Sequence, residues 1–293
     1  MIEDNTGSLK NYIKKFDYTL PVMQKAEYIY RITSEIVEDL ARNNVRYAEL
    51  RIAPFLHIDG GLYLEEVVES VLKALNDGEK DNDINTNLIL IAMRDHESKK
   101  SLEVVKTAEK YLNYGVVGVD LAGNEADFPP DIHQKAFEKA AEYGLHRTVH
   151  AGEAAGPKNI KTAVEKLFAE RIGHGVKLKE NRNLYKLLKD NDIALEVCLL
   201  SNLQTNAVQK LENHPVKEYF NNDIPITINT DNTTVSNTDI NNEYSILFKK
   251  LDFDFVDFKK IIFNGIKYSF ADKSLKEKLN LEFEKEISIL EKT

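Results

Sequence analysis

A single cysteine, Cys198, rules out an internal disulfide, and a chain that makes none suits a reducing compartment, so we expect a cytoplasmic protein. Long apolar runs are missing too. No stretch approaches membrane-spanning length, and the opening Met1-Ile2-Glu3-Asp4-Asn5 is acidic, without the apolar core of a signal peptide. Positive charge is in deficit: 39 Lys and Arg against 48 Asp and Glu leave a formal charge of -9, which repels a phosphate backbone or an anionic bilayer. Neither nucleic acid nor membrane is an expected partner. One further absence bears on chemistry: the seven histidines, His57, His96, His133, His146, His150, His174 and His214, include no His-x-His pair.

What is present is a repeating phrase of helix followed by strand. After a polar-aromatic opening segment over residues 8–19, Ile29, Ile32, Ile36 and Leu40 recur at steps of three and four, which predicts a helix over residues 21–43. Residues 45–52 then alternate like a strand that Pro54 closes. The phrase recurs as helices over 63–76, 98–112, 131–143, 158–169 and 180–190, and strands over 87–93, 115–121, 145–150, 171–174, 193–197 and 224–229. Helical patterns over 240–250, 255–268 and 273–290 complete the chain. Near-continuous apolar strands alternating with helices imply a parallel sheet covered on its outer face. At 293 residues the chain is of normal size for one α/β barrel, so 1–293 is read as a single domain. Seven strands are counted where a closed (β/α)8 barrel needs eight.

Three of these strands end on residues with catalytic chemistry. Arg147-Thr148-Val149-His150-Ala151-Gly152-Glu153 runs to a histidine, then turns so that an imidazole and a carboxylate can share one space, a pairing suited to a metal ligand beside a proton carrier. Arg171-Ile172-Gly173-His174-Gly175 ends on a second histidine, and Ile226-Thr227-Ile228-Asn229-Thr230-Asp231 on an aspartate. Parallel barrels carry their function at such C-terminal strand ends. His146 falls at the opposite end of its strand and reads as structural. Asp120 and Glu125 suit either substrate contacts or a loop salt bridge or helix cap. Cys198 reads as a small buried apolar residue, and Glu282, Lys285 and Glu291 as a solvated face.

Together with Val119-Asp120-Leu121-Ala122-Gly123-Asn124-Glu125, Glu196-Val197-Cys198, Ser201-Asn202 and Asp231-Asn232, these phrases occur in the order found in a known family. The chain resembles the adenosine deaminase family, metal-dependent (β/α)8 barrels that convert adenosine to inosine and ammonia. The resemblance implies that His150 and Asp231 are zinc ligands and that Glu153 protonates the purine nitrogen next to the attacked carbon. It implies that His174 orients and helps deprotonate the water, and that the Gly123 N–H approaches the other pyrimidine-ring nitrogen. Zinc lowers the pKa of bound water from about 15.7 toward about 7. Glu153 then has to stay protonated in a dry pocket, so its pKa is expected to be raised. Cytidine-type zinc deaminases bind metal through cysteines, and one cysteine is too few for that site.

The family opens with a strand carrying His-x-His, which supplies half of the protein ligands to the zinc, and this sequence has no counterpart. His57-Ile58-Asp59-Gly60 imitates the tail of that motif, but Phe55 stands where the other histidine belongs, so His57 reads as a loop residue. The expected fold is therefore a TIM-type barrel without its first strand, with open sheet edges and weakened zinc binding. Asn232 stands where many members have a second aspartate, and it always has an N–H to donate to a purine. The expected substrate is adenosine or 2'-deoxyadenosine. The alternatives are adenine or another 6-aminopurine, and a purine-binding remnant without turnover.

Overall fold

The computed structural model describes residues 7–292; the first five residues, read above as lacking a signal core, lie outside the described residues. Seven strands form one sheet in the order of the chain, every neighbouring pair parallel. They are β1 Tyr47–Ile52, β2 Asn85–Met93, β3 Val116–Ala122, β4 His146–Ala151, β5 Arg171–His174, β6 Ala194–Val197 and β7 Ile226–Ile228. Before and between them run α1 Leu9–Ile13, α2 Ala26–Arg42, α3 Leu64–Asp81, α4 Ser98–Lys110, α5 Gln134–Glu142, α6 Pro157–Leu167, α7 Asn183–Asp190, α8 Leu199–Gln204 and α9 Val216–Asn221. After β7 come α10 Thr233–Ser236, α11 Ile240–Lys250, α12 Phe255–Tyr268 and α13 Lys273–Leu290. None of the helices among the described residues is long and apolar enough to cross a membrane.

Local chemistry sets most boundaries. In α2, Ile29, Thr33 and Val37 are buried at four-residue steps, and the helix ends where Asn44 turns into the left-handed region at φ 60°. The periodicity alone extends this helix back to Pro21, but the structure starts it at Ala26. Leu20–Met23 forms a 3-10 turn around Pro21, and the extended backbone of Lys25 separates the two. Within the opening segment, Ser8 caps α1 by accepting the Asn11 N–H.

Side chains of the inner face show how strongly the sheet curls. Arg51 on β1 reaches Asp120 on β3 at 2.9 Å and Glu196 on β6 at 2.6 Å. Arg171 on β5 reaches back to Glu49 on β1 at 2.6 Å and lies 2.8 Å from Glu196, the latter a charge contact rather than an aligned hydrogen bond. Strands distant in the order thus face one another across a common interior filled by an alternating chain of ions. No ladder joins β1 to β7 among the described residues, so the barrel has seven strands and two open edges. At the N-terminal end the guanidinium of Arg171 lies 3.5 Å over the Phe270 ring, which stacks on His146 at 4.4 Å. His146 also bonds Glu170 at 2.7 Å, the structural role its position suggests.

Candidate active site

The opposite end of the sheet gathers the candidate residues. His150 is the penultimate residue of β4, and its Nδ1 lies 3.0 Å from the buried Asp120 carboxylate, whose other oxygen takes the Arg51 bond. Burial works against charge on His150, but the neighbouring Asp120 outweighs it and raises the imidazole pKa. Burial likewise opposes ionisation of Asp120, yet His150 and Arg51 hold its carboxyl well below the usual range. Nε2 is consequently the histidine nitrogen left to act in the site.

Glu153 is aimed by the turn that follows. Gly152 takes φ +72°, and a Cβ there would sit 2.5 Å from Ile160 Cδ1, so both backbone and packing require glycine. Glu125 organises the rest of the turn, accepting the N–H groups of Gly152, Glu153, Ala154 and Ala155 and the Asn159 amide, all within 3.1 Å. Glu125 thus holds this loop through hydrogen bonds to its backbone, a role distinct from the salt bridge and the helix cap that the sequence suggested. Glu153 Oε1 takes the Thr205 hydroxyl at 2.9 Å, and Oε2 faces His174 Nε2 at 3.6 Å. Burial pushes the Glu153 carboxyl up, and the nearby Asp231 adds to the rise against the opposing pull of His174.

His174, the last residue of β5, and Asp231, three residues beyond the end of β7 rather than on it, both lie in the left-handed region, at φ 63° and 56°. A non-glycine residue pays of order 1–3 kcal/mol for such a conformation, which persists where the surroundings hold it. The His174 ring meets the His150 ring edge-on at 5.0 Å. Asp231 accepts the Ser201 hydroxyl at 2.7 Å. Gly123, at the end of β3, has φ +111°, and a Cβ there would lie 3.2 Å from Met93, which explains the glycine independently of any ligand. Asn232 uses its carbonyl oxygen to cap α10 through the Val235 N–H at 2.7 Å, which leaves its amide N–H groups as donors. His57 is buried with Nδ1 3.0 Å from the Met23 carbonyl, so it packs rather than reacts.

Several residues that shape the site carry no isolated sequence signal. Arg94 is fully buried beside Gly123 and grips the carbonyls of His150 and Phe128. Tyr12 on α1 bonds Ser236 at 2.7 Å and so crosses from the start of the chain to the loop after β7. The step of three from Asn202 on α8 to Thr205, its C-cap, is the one spacing that could have pointed to the Glu153 contacts.

The zinc that the resemblance implies finds an incomplete donor set. His150 Nε2 and the Asp231 oxygen not bonded to Ser201 are two donors. No group of three or more His, Cys, Asp and Glu that could hold a metal exists among the described residues. A catalytic zinc takes three protein ligands and a water, so these residues alone do not fit one.

Comparison with known proteins extends these observations along the whole chain. The family model described as adenosine deaminase matches residues 1–286. An adenosine deaminase of Clostridium kluyveri is 49% identical over 286 residues, 98% of this chain and 82% of that protein. An adenine deaminase structure from Arthrobacter aurescens has a TM-score of 0.91 at 29% identity, covering 96% of this chain and 86% of its own. The N6-mAMP deaminase of Arabidopsis has a TM-score of 0.88 at 30% identity, covering 97% and 86%. Matched over nearly its full length in both sequence and fold, the chain belongs to the adenosine deaminase family, hydrolases that deaminate purine-like substrates.

Proposed function

We propose that the chain binds a 6-aminopurine and exchanges its amino group for the oxygen of water, releasing ammonia. The observation that carries this reading is Glu153, a buried carboxyl with a raised pKa at the C-terminal end of the barrel. In the proposed site the Glu153 proton passes to the ring nitrogen adjacent to the aminated carbon, which makes that carbon electrophilic. The Gly123 N–H and an Asn232 amide N–H hold the other two ring nitrogens that the purine offers. His174 and Asp231 stand on the side from which water attacks. His150 and Asp231 are the proposed metal ligands, and no step is assigned to zinc because their donor set is incomplete. A lone buried thiol at Cys198 supports a cytoplasmic setting.

These contacts address the base and leave the substituent on the far ring unread, which supports adenine or another 6-aminopurine as substrate. The likeness to an adenine deaminase and an N6-mAMP deaminase supports the same breadth. Adenosine is the second reading, favoured by the 49% identity to the Clostridium kluyveri protein. A third, purine binding without turnover, is favoured by the two-donor metal set.

Ammonia release from adenine, adenosine and AMP in parallel, with zinc supplied and zinc content per chain measured, tests the reading. Turnover lost by at least ~100-fold in Glu153→Gln, with purine affinity kept, is the expected result. Calorimetric binding of a purine without ammonia release from any of the three would instead establish the non-catalytic reading.

A further inference from the structure

Behind His174 lies a buried polar chain that the proposed chemistry does not use. Val216 donates its backbone N–H to His214 Nδ1 at 3.1 Å. His214 Nε2 lies 3.1 Å from Asn202 Oδ1, and Asn202 Nδ2 lies 3.0 Å from His174 Nδ1. All three side chains are buried, with His214 5%, Asn202 0% and His174 2% exposed, so water does not substitute for any link.

The direction of this chain is decided at one end. A backbone N–H can only donate, so Nδ1 of His214 is an acceptor and its proton sits on Nε2. Burial, reinforced by the charge of Lys179, lowers the His214 pKa to about 3, in keeping with a neutral ring that has one N–H. That N–H points at Asn202, which has to present its oxygen there and its N–H2 group to His174. Asn202 Nδ2 is also 3.5 Å from Glu153 Oε1, where only the donor end of the amide is favourable. An N–H aimed at His174 Nδ1 requires that nitrogen to be the acceptor.

We infer that His214 and Asn202 are positioning residues that fix the tautomer of His174, placing its proton on Nε2, the nitrogen that faces Glu153. The inference rests on the deaminase reading for its consequence. With Nε2 protonated, His174 meets the site as a donor, so it orients an attacking water through the oxygen lone pair and does not take the water's proton in the resting state. Oε1 of Glu153 already receives Thr205 and Asn202, which leaves Oε2 as the carboxyl oxygen open to a proton or a ligand.

Two-bond proton–nitrogen correlation on histidine-labelled protein, at one fixed pH and without ligand, reads the tautomers directly. The expected spectrum shows a protonated Nε2 and a bare Nδ1 for both His174 and His214. In Asn202→Asp the new carboxylate only accepts, so His174 is expected to move its proton to Nδ1 while His214 keeps its own on Nε2. A wild-type His174 protonated at Nδ1, or a His174 tautomer unmoved in Asn202→Asp, overturns the inference. The wild-type spectrum decides the matter even where the variant does not fold. Failure of the deaminase reading registers separately, as absent ammonia release with the tautomers as described.

Discussion

Carboxylates with different partners do different work in this molecule. Glu125 satisfies four successive N–H groups of the turn that carries Glu153, so removing it strands donors in a buried site. Glu125→Ala is expected to cost about 3 kcal/mol or more. Urea denaturation measures the loss, and faster amide exchange at residues 152–155 than elsewhere locates it. Glu243 is the opposite case. It accepts the Leu199 N–H and the Thr238 hydroxyl, but burial dominates and raises its pKa from 4.5 to about 7. A carboxyl that holds its proton more tightly when folded stabilises the fold fully below its unfolded pKa, and that contribution is lost as pH rises through the folded value. Stability is therefore expected to fall by on the order of 3 kcal/mol between about pH 4.5 and pH 7 on account of this group. Glu243→Gln, followed by denaturation at both pH values, should flatten that part of the profile. None of these roles was legible from the residue types. Acidic side chains are frequent in this sequence, and only the surrounding donors distinguish a turn-holder from a proton reservoir.

Among elements, the long C-terminal helices followed the sequence closely, whereas the short capped helices α1 and α10 offered too few residues for a periodic signal. The periodic residues of α11, α12 and α13 define the observed limits without adjustment. For α12 the reason is visible: Asp254 accepts the N–H groups of Val256 and Asp257, and Asp257 returns the favour to the Asp254 N–H. Asp254→Ala is expected to cost about 1 kcal/mol of stability, measured by thermal or urea unfolding. The loop from Thr205 to His214 gave no periodic signal, since it is irregular apart from the short 3-10 turn Leu211–Asn213. That is why His214, twelve residues from Asn202 in the chain and bonded to it in space, had no sequence pointer. Strand ends were easier. His150, His174 and Asp231 follow short β-prone runs, and a parallel barrel delivers such positions to one end.

For the whole molecule, the edge of β1, which no strand pairs among the described residues, is the feature with the largest expected consequence; β7 is buried, with its Ile226 carbonyl taken by Asn264. Exposed strand edges present N–H and C=O groups that pair with another chain. Sedimentation velocity over a hundredfold concentration range is expected to show reversible growth beyond the monomer mass of 33.5 kDa. A single unchanging monomer boundary would show that the β1 edge is protected. The interior offers a further contrast with an aliphatic barrel core. Arg51, Asp120, Glu196, Arg171 and Glu49 form one buried alternating chain, and breaking it by Asp120→Ala leaves Arg51 and His150 without their shared anion. A loss of roughly 3–5 kcal/mol is expected in urea denaturation.

The sequence by itself determined the alternation of helices and strands, the parallel barrel class, the missing His-x-His pair and the three strand ends that carry the candidate chemistry. Those are properties of local periodicity, of residue order and of residue type, all of which are written along the chain. Tertiary structure decided which carboxyl groups hold their protons more tightly, which nitrogen of each histidine is available and how the first strand meets the fifth and sixth across the interior. Desolvation and hydrogen-bond direction depend on neighbours from distant segments. Val216, Asn202 and Glu153 come from separate elements, and only folding brings them to bear on His174.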